Sequence, residues 1–306
     1  MPTIPRATED GLPVIAPDWL DELRLEPGPP YQTMGTRALD PAAWLVADER
    51  RDGELARKRE LLRISRNLVA GASTPDARPA CEEALALVAG FVGEAAPGLD
   101  DLPVEDDDAV APLVRAALLV QDDLAVMQEV DGEWILSAAV VCFPSHWTPA
   151  DKLGLPLGLV HSPVAHYERE LAEKVDRFHN RLAVERPAWR RNWSVNPTSE
   201  LHLPDRGVVP PIAREPGWRI AEDGTPMWIR SERQTLRRLP ATGAVLFTIR
   251  VQLAPLGVLL DRPDLAARLL ACVESWDDTK RAYNSTGGAL DQLVAWLRAQ
   301  RGPVPS

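Results

Sequence analysis

The sequence predicts an α+β fold, with helices packed at the ends and on one face of an antiparallel sheet. Two pairs of strand-like runs indicate the sheet, the first at 116–128 and 133–142 and the second at 227–236 and 244–253. Asp131-Gly132 separates the first two runs, and this dipeptide is the strongest short-range signal for a hairpin. A turn that contains proline and glycine joins the second pair. Hairpin strands pair antiparallel, because parallel strands need a long crossover connection.

Helical segments surround these strand-like runs. Leucines recur at helical spacing within 49–70, and a glycine follows as a stop signal. Within 163–182, apolar residues step by three or four, and acidic residues precede basic ones as the helix dipole favours. The predicted helices are 49–70, 77–92, 163–182, 263–276 and 289–300.

The N-terminal region differs from the rest of the chain. Residues 1–48 are rich in proline, and we expect an extended arm that Trp19 and Trp44 anchor to a larger body. We expect the remainder, 49–306, to form a single domain. Its core is predicted at about 110–255, with flanking helices at 49–95 and 263–300.

Charge and composition exclude several classes of function. The 306 residues include 45 acidic and 34 basic side chains, for a formal net charge of -11. A surface of this sign repels phosphate backbones and anionic lipids, so we expect neither nucleic acid nor a membrane as partner. No apolar run approaches the roughly 20 residues that span a bilayer, and the start lacks a signal-peptide pattern. The three cysteines show no paired spacing, which favours a reduced, cytoplasmic protein without disulfides or structural zinc.

His161 is the first candidate for a functional residue. It closes the apolar segment KLGLPLGLVH at 152–161, and Ser162-Pro163 follows it directly. A histidine on such a restrained backbone beside an apolar wall suits an axial haem ligand. The residues alone leave an alternative open, namely a core or helix-capping histidine. No role is assigned to the remaining histidines, which are His146, His166, His179 and His202.

Arg190 and Glu232 form a second candidate group. Arg190 lies between two tryptophans in the segment WRRNW at 189–193. Glu232 lies in a predicted strand, where alternation places Arg230, Glu232 and Gln234 on one face. Such a polar face is either an exposed edge or the wall of a pocket, and the pattern alone does not separate the two.

Four segments together resemble the family of haem-dependent oxidative N-demethylase (dimethylamine monooxygenase) catalytic subunits. The resemblance covers nearly the whole chain, from about residue 12 to 285, and its two long segments are specific. The segments are LLVQDDLAVMQ at 118–128, VCFPSHWTPADKLGLPLGLVHSPV at 141–164, WRRNW at 189–193 and RSERQTLRRLPATGAVLFTIR at 230–250.

The resemblance implies a PAS-like core that binds haem b and oxidises a secondary methylamine with O₂. In the family, electrons come from NADPH through reductase subunits that carry flavin and an iron–sulfur centre. A tetrahydrofolate-linked subunit takes the formaldehyde. Position by position, the resemblance makes His161 the axial ligand of the haem iron and Arg190 and Glu232 the catalytic residues.

These residue types suit that chemistry. A dialkylamine has a pKa of about 10, like that of lysine, and reaches the site as a cation that needs a carboxylate such as Glu232. Glu232 can also accept the proton so that the neutral amine reacts. Arg190 offers N–H donors to oxygen that becomes negatively charged.

Three residues depart from the family's pattern. Ala165 and His166 are expected to loosen the loop after His161, and Arg191 is expected to add a charge near the site. Two other functions remain open from the sequence. One is a haem-binding PAS-like sensor, and the other is an assembly subunit that has lost the cofactor.

Overall fold

The computed structural model describes residues 16–29, 34–205, 217–284 and 289–300, and these form the predicted α+β fold. The strands are β1 Arg37–Ala38, β2 Ala70–Ala72, β3 Asp123–Val130, β4 Glu133–Val140, β5 Ala188–Asn196, β6 Trp228–Arg238 and β7 Val245–Pro255. Within the described residues they make one seven-stranded sheet in the order β1-β5-β6-β7-β3-β4-β2. Every neighbouring pair is antiparallel.

Helices precede, interrupt and follow the strands. They are α1 Arg51–Val69, α2 Arg78–Val92, α3 Ala111–Ala117, α4 Leu157–His161, α5 Tyr167–Glu170, α6 Ala172–Arg181, α7 Pro263–Glu274, α8 Asp278–Asn284 and α9 Ala289–Gln300. The predictions of helices at 49–70, 77–92, 263–276 and 289–300 are therefore confirmed. None of the helices in the described ranges has the length and apolar character needed to cross a membrane.

Both predicted hairpins are present. Asp131 and Gly132 join β3 to β4 with φ values of 52° and 86°, the left-handed backbone that a tight hairpin turn requires. The strand prediction for 116–128 is wrong at its start, because Ala116 and Ala117 belong to α3 and β3 begins at Asp123. A continuous apolar run has no period that separates a buried helix from a buried strand.

The single helix predicted at 163–182 is wrong, because the chain forms the two shorter helices α5 and α6 in this range. His166 adopts the left-handed region with φ 62°, which interrupts the helix before α5. A second break occurs at Leu171, whose φ is -124°. The apolar positions of the pattern, Tyr167, Leu171 and Val175, are nevertheless all buried. The period thus identifies the buried face but not the continuity of the helix.

Helices cover both faces of the sheet, which corrects the prediction of helices on one face. Leu124, Val126, Ala138 and Val140 of β3 and β4 pack in one cluster with residues of α1, α2 and α3. Intervening residues, such as Ala125, pack on the opposite face with α4, α5 and α6. A third cluster joins α7 and α9 to the ends of β6 and β7.

Sequence patterns missed the strand β5. The segment WRRNW carries two arginines and an asparagine, and nothing in it alternates between apolar and polar residues. It pairs with β6 along its whole length, and the two residues of β1 pair with its first residues. The N-terminal region thereby joins the edge of the sheet. Trp44, a predicted anchor, is fully buried and donates from Nε1 to Oγ1 of Thr235 at 3.1 Å.

An ionic network lies buried between the sheet and α1. Arg250 of β7 is fully buried and pairs with Glu54 at 2.9 Å and with Asp48 at 2.5 Å. Lys58 is also fully buried, lies 3.4 Å from Asp123 and donates to backbone carbonyls in the turn before β3. Charges without water need such partners, so this network fixes α1 against the sheet.

We expect Arg250→Met to lower the free energy of unfolding by about 3–5 kcal/mol, because two carboxylates lose their buried partner. Urea denaturation measures this loss. The matched control is Arg57→Met, which removes an exposed pair with Glu60 and is expected to cost less than about 1 kcal/mol. Equal effects of the two variants would contradict the structural role of the network.

Candidate active site

The imidazole of His161 is held in a fixed orientation at the end of α4. Its Nδ1 donates to the carbonyl of Leu157 at 3.0 Å, one helical turn earlier. Its ring stacks on Tyr167 with a centroid distance of 5.0 Å and an interplanar angle of 13°. Because Nδ1 carries the proton, Nε2 holds the lone pair, and within the described residues Nε2 makes no hydrogen bond.

Burial keeps this imidazole neutral. It lowers the pKa of His161 to about 4, and the positive charges of Lys152 and Arg190 act in the same direction. The hydrogen bond to Leu157 opposes the shift but does not cancel it. At neutral pH the Nε2 lone pair is therefore available to a metal ion.

Among the other histidines, His166 uses Nε2, whereas the remaining three share the Nδ1-to-carbonyl contact of His161, which is distinguished from them by the nearby charge of Arg190. Nε2 of His166 donates a hydrogen bond to the carboxylate of Asp277 at 3.0 Å, which ties the loop after α4 to the start of α8. His166 therefore fastens this loop, which corrects the expectation that it loosens the loop. The remaining histidines each direct Nδ1 to a backbone carbonyl, namely His146 to Asp205, His179 to Val175 and His202 to Cys142.

Arg190 and Glu232 lie on the same face of the sheet. In the register of β5 and β6, Arg190 is opposite Gln234 and Asn192 is opposite Glu232, so the two charged residues are diagonal neighbours. Arg230, which shares this face, is only 1% exposed. Glu232 and Gln234 are half-buried, and Asn192 on the same face is exposed. This mixture favours the wall of a pocket that opens to solvent over a fully exposed edge.

Neighbouring side chains orient the carboxylate of Glu232. Nε2 of Gln234 donates to its Oε2 at 3.0 Å, and Nε of Arg230 lies 3.8 Å from its Oε1. Arg230 in turn donates to the carbonyls of Phe143 and Pro144. Sequence reasoning placed Arg230 and Gln234 on this face by alternation but gave them no role. Here they position the carboxylate on which the site depends.

Arg190 has no partner of this kind. Within the described residues its guanidinium makes no hydrogen bond, ion pair or ring contact. Burial lowers its pKa, and the negative charge of Glu232 opposes that shift. The charge of Arg190 also acts on His161, so Arg190 lies within electrostatic range of both His161 and Glu232.

Arg191 points away from this site, which corrects the expectation that it adds a charge there. Alternation along β5 sends it to the opposite face of the sheet. There its guanidinium pairs with Glu22 at 2.5 Å and donates to Ser231 and Gln252. In the segment WRRNW, the second arginine is thus structural and the first is free to bind a ligand.

These side chains fit a haem. Four ligands of haem iron come from the porphyrin, so the protein needs to supply only an imidazole such as that of His161. The neutral ring with a free Nε2 meets this requirement, and its hydrogen bond to Leu157 is the usual outer support of a ligating histidine.

A family model described as haem-dependent oxidative N-demethylase, alpha subunit-like, matches residues 93–294, well over half of the chain. The chain belongs to this family. The match includes β3 to β7 and all three candidate residues of this N-demethylase-like protein. The description supports dependence on haem and points to function as one subunit of a larger enzyme.

The pKa of His161 predicts how stability changes with pH. The unfolded histidine takes up a proton near pH 6.5, whereas the folded one does so only near pH 4. Stability is therefore full above pH 6.5 and falls as the pH drops from 6.5 towards 4, by on the order of 2–3 kcal/mol. We expect His161→Gln to remove this part of the pH dependence in the haem-free protein, as measured by urea denaturation. If the free energy of unfolding depends on pH in the same way in both proteins, a buried neutral His161 would be contradicted.

Proposed function

We propose that this chain is the catalytic subunit of a haem-dependent monooxygenase that N-demethylates a secondary methylamine of the dimethylamine type. The products are a primary amine and formaldehyde. The observation that carries the proposal is the unbonded Nε2 of a neutral His161 within electrostatic range of Arg190, which in turn lies within range of Glu232. When bound, a haem b supplies the redox centre for reaction with O₂, and His161 would hold its iron.

Glu232 binds and deprotonates the amine. The substrate arrives as a cation, and its loss of water needs a carboxylate in the wall of the site. Gln234 donates to Oε2 of Glu232 and Arg230 lies 3.8 Å from Oε1, so both neighbours orient the carboxylate. The substrate ammonium would bind to the remaining lone pairs of the carboxylate. Transfer of the ammonium proton to Glu232 then gives the neutral amine, which is the species that is oxidised.

Arg190 stabilises the negative charge that develops on oxygen during the reaction. Its N–H groups have no acceptor within the described residues, so they can donate to oxygen as it becomes negatively charged. One oxygen atom enters a methyl C–H bond and gives a carbinolamine. The other takes up two protons and the two electrons that NADPH supplies, and leaves as water. The C–N bond of the carbinolamine then breaks and formaldehyde leaves, while the hydroxyl proton passes to the nitrogen and gives the primary amine.

The proposal includes partner subunits. An alpha-subunit-like chain implies further subunits, and the reaction needs a source of electrons. We assign this supply to a reductase with flavin and iron–sulfur centres that takes electrons from NADPH. A tetrahydrofolate-linked subunit would consume the formaldehyde, which otherwise reacts with protein amines.

We expect Glu232→Gln to lower kcat/KM for dimethylamine by roughly 10²–10⁴-fold, because the neutral amide neither pairs with the cation nor accepts its proton. Formaldehyde release and amine consumption measure turnover in the haem-loaded protein with a reductant. Glu129→Gln, an exposed change on β3, is the matched control.

Each alternative function gives a different result in the same assay. Full turnover by Glu232→Gln would disprove the role of the carboxylate. Haem binding without any formaldehyde from the wild-type protein would identify a sensor. A protein that takes up no haem would identify an assembly subunit.

A further inference from the structure

Tyr167 lies against the candidate haem ligand but has no assigned role. It is 2% exposed, and its ring is nearly parallel to the imidazole of His161, with 5.0 Å between the two centroids. This geometry is an offset stack, which covers a face of the imidazole. The lone pair of Nε2 lies in the plane of the imidazole, so the stack restrains His161 and leaves that lone pair free.

The backbone between the two residues brings their rings together. The carbonyl of His161 accepts from the N–H of Val164 at 2.8 Å, and the carbonyl of Val164 accepts from the N–H of Tyr167 at 3.1 Å. His166, just before the tyrosine, has a left-handed backbone and donates to Asp277. Local hydrogen bonds therefore place Tyr167 beside His161 without the help of a bound group.

The stacked pair lies on the face of the sheet that carries the other candidate residues. Tyr167 packs in the same apolar cluster as Leu236 of β6. Alternation along β6 puts Leu236 on one face with Glu232 and Gln234. Packing thus places Tyr167 and its partner His161 on the face of the sheet to which Glu232 belongs.

The ring of Tyr167, and not its hydroxyl, acts on His161. Within the described residues the buried hydroxyl makes no hydrogen bond, so its removal would break none. The hydrogen bond from Nδ1 of His161 to Leu157 holds one atom at the edge of the imidazole, whereas the stack holds the plane of the imidazole. Together the two contacts leave the imidazole a single orientation.

We propose that Tyr167 is a positioning residue that sets the plane of the His161 imidazole as a ligand of haem iron. The inference rests on the proposed function, because it concerns the same ligand. The plane of an axial imidazole determines how its π orbitals overlap with the orbitals of the iron, and so affects the electronic state of the iron. An imidazole that is already oriented also loses less freedom when it binds.

The first arm of the test uses the full-length haem-free protein with isotope-labelled histidine. The stack shifts the carbon-bound protons of the His161 ring upfield in the NMR spectrum, and His161→Gln identifies their signals. Tyr167→Phe keeps these signals near their wild-type positions. Tyr167→Leu and Tyr167→Met, which retain apolar volume without an aromatic ring, move them downfield. Signals that stay in place in these two variants overturn the inference, whether or not the protein binds haem.

The second arm uses the haem-loaded ferric protein. Electron paramagnetic resonance reports on the axial ligand through the g values, and transfer of haem to excess apomyoglobin measures the rate of haem release. We expect Tyr167→Leu and Tyr167→Met to change the g values and to release haem about 2- to 10-fold faster, because the loss of the stack frees the imidazole. Tyr167→Phe has the g values and the release rate of the wild-type protein.

Val175→Ala is the matched control. Val175 is buried in the same apolar cluster but lies on α6. Its truncation lowers the stability to urea and leaves the g values and the rate of haem release unchanged. The same spectral change in Val175→Ala, or wild-type g values in Tyr167→Leu, overturns this inference alone. A wild-type protein that takes up no haem overturns the proposed function, and the first arm still decides whether Tyr167 orients His161.

Discussion

Consecutive residues of a β-strand point to opposite faces of the sheet, and β5 and β6 carry charge on both faces. On one face, Arg191 binds Glu22, and Arg233 donates to the carbonyls of Ala43 and Trp44. These bonds fasten the N-terminal region to the sheet. On the other face, Glu232 is held by Gln234 and Arg230. Arg190 makes no hydrogen bond within the described residues, and these side chains form the wall of the site. The strands β5 and β6 therefore both hold the N-terminal region to the sheet and carry two of the candidate site residues.

The arrangement of residues on β6 also orients the carboxylate of Glu232. Gln234 and Arg230 share a face with Glu232, so the strand that carries the carboxylate also positions it. The histidine comes from a different element, the short helix α4, and a hydrogen bond from His166 to Asp277 ties the following loop to α8. Through that contact, the C-terminal helices help to hold the loop that follows His161.

Much of the fold and part of the site could be predicted from the sequence. Asp131-Gly132 indicated its hairpin because few dipeptides tolerate positive φ at both positions. The break in the helix at His166 was not predictable, since its left-handed backbone depends on the tertiary contact with Asp277. Alternation placed Glu232 on one face with Arg230 and Gln234 but did not separate an exposed edge from the wall of a pocket. Only pairing with β6 shows that Arg190, and not Arg191, shares that face.

The central claim is that His161, through its free Nε2, is the protein ligand of a haem iron. Its most direct test is the absorption spectrum of the full chain expressed with a haem precursor, compared between His161→Ala and His166→Ala. The account predicts a strong Soret band in the wild-type protein and in His166→Ala, and its loss in His161→Ala. A Soret band that persists unchanged in His161→Ala, or one that disappears only in His166→Ala, would contradict it.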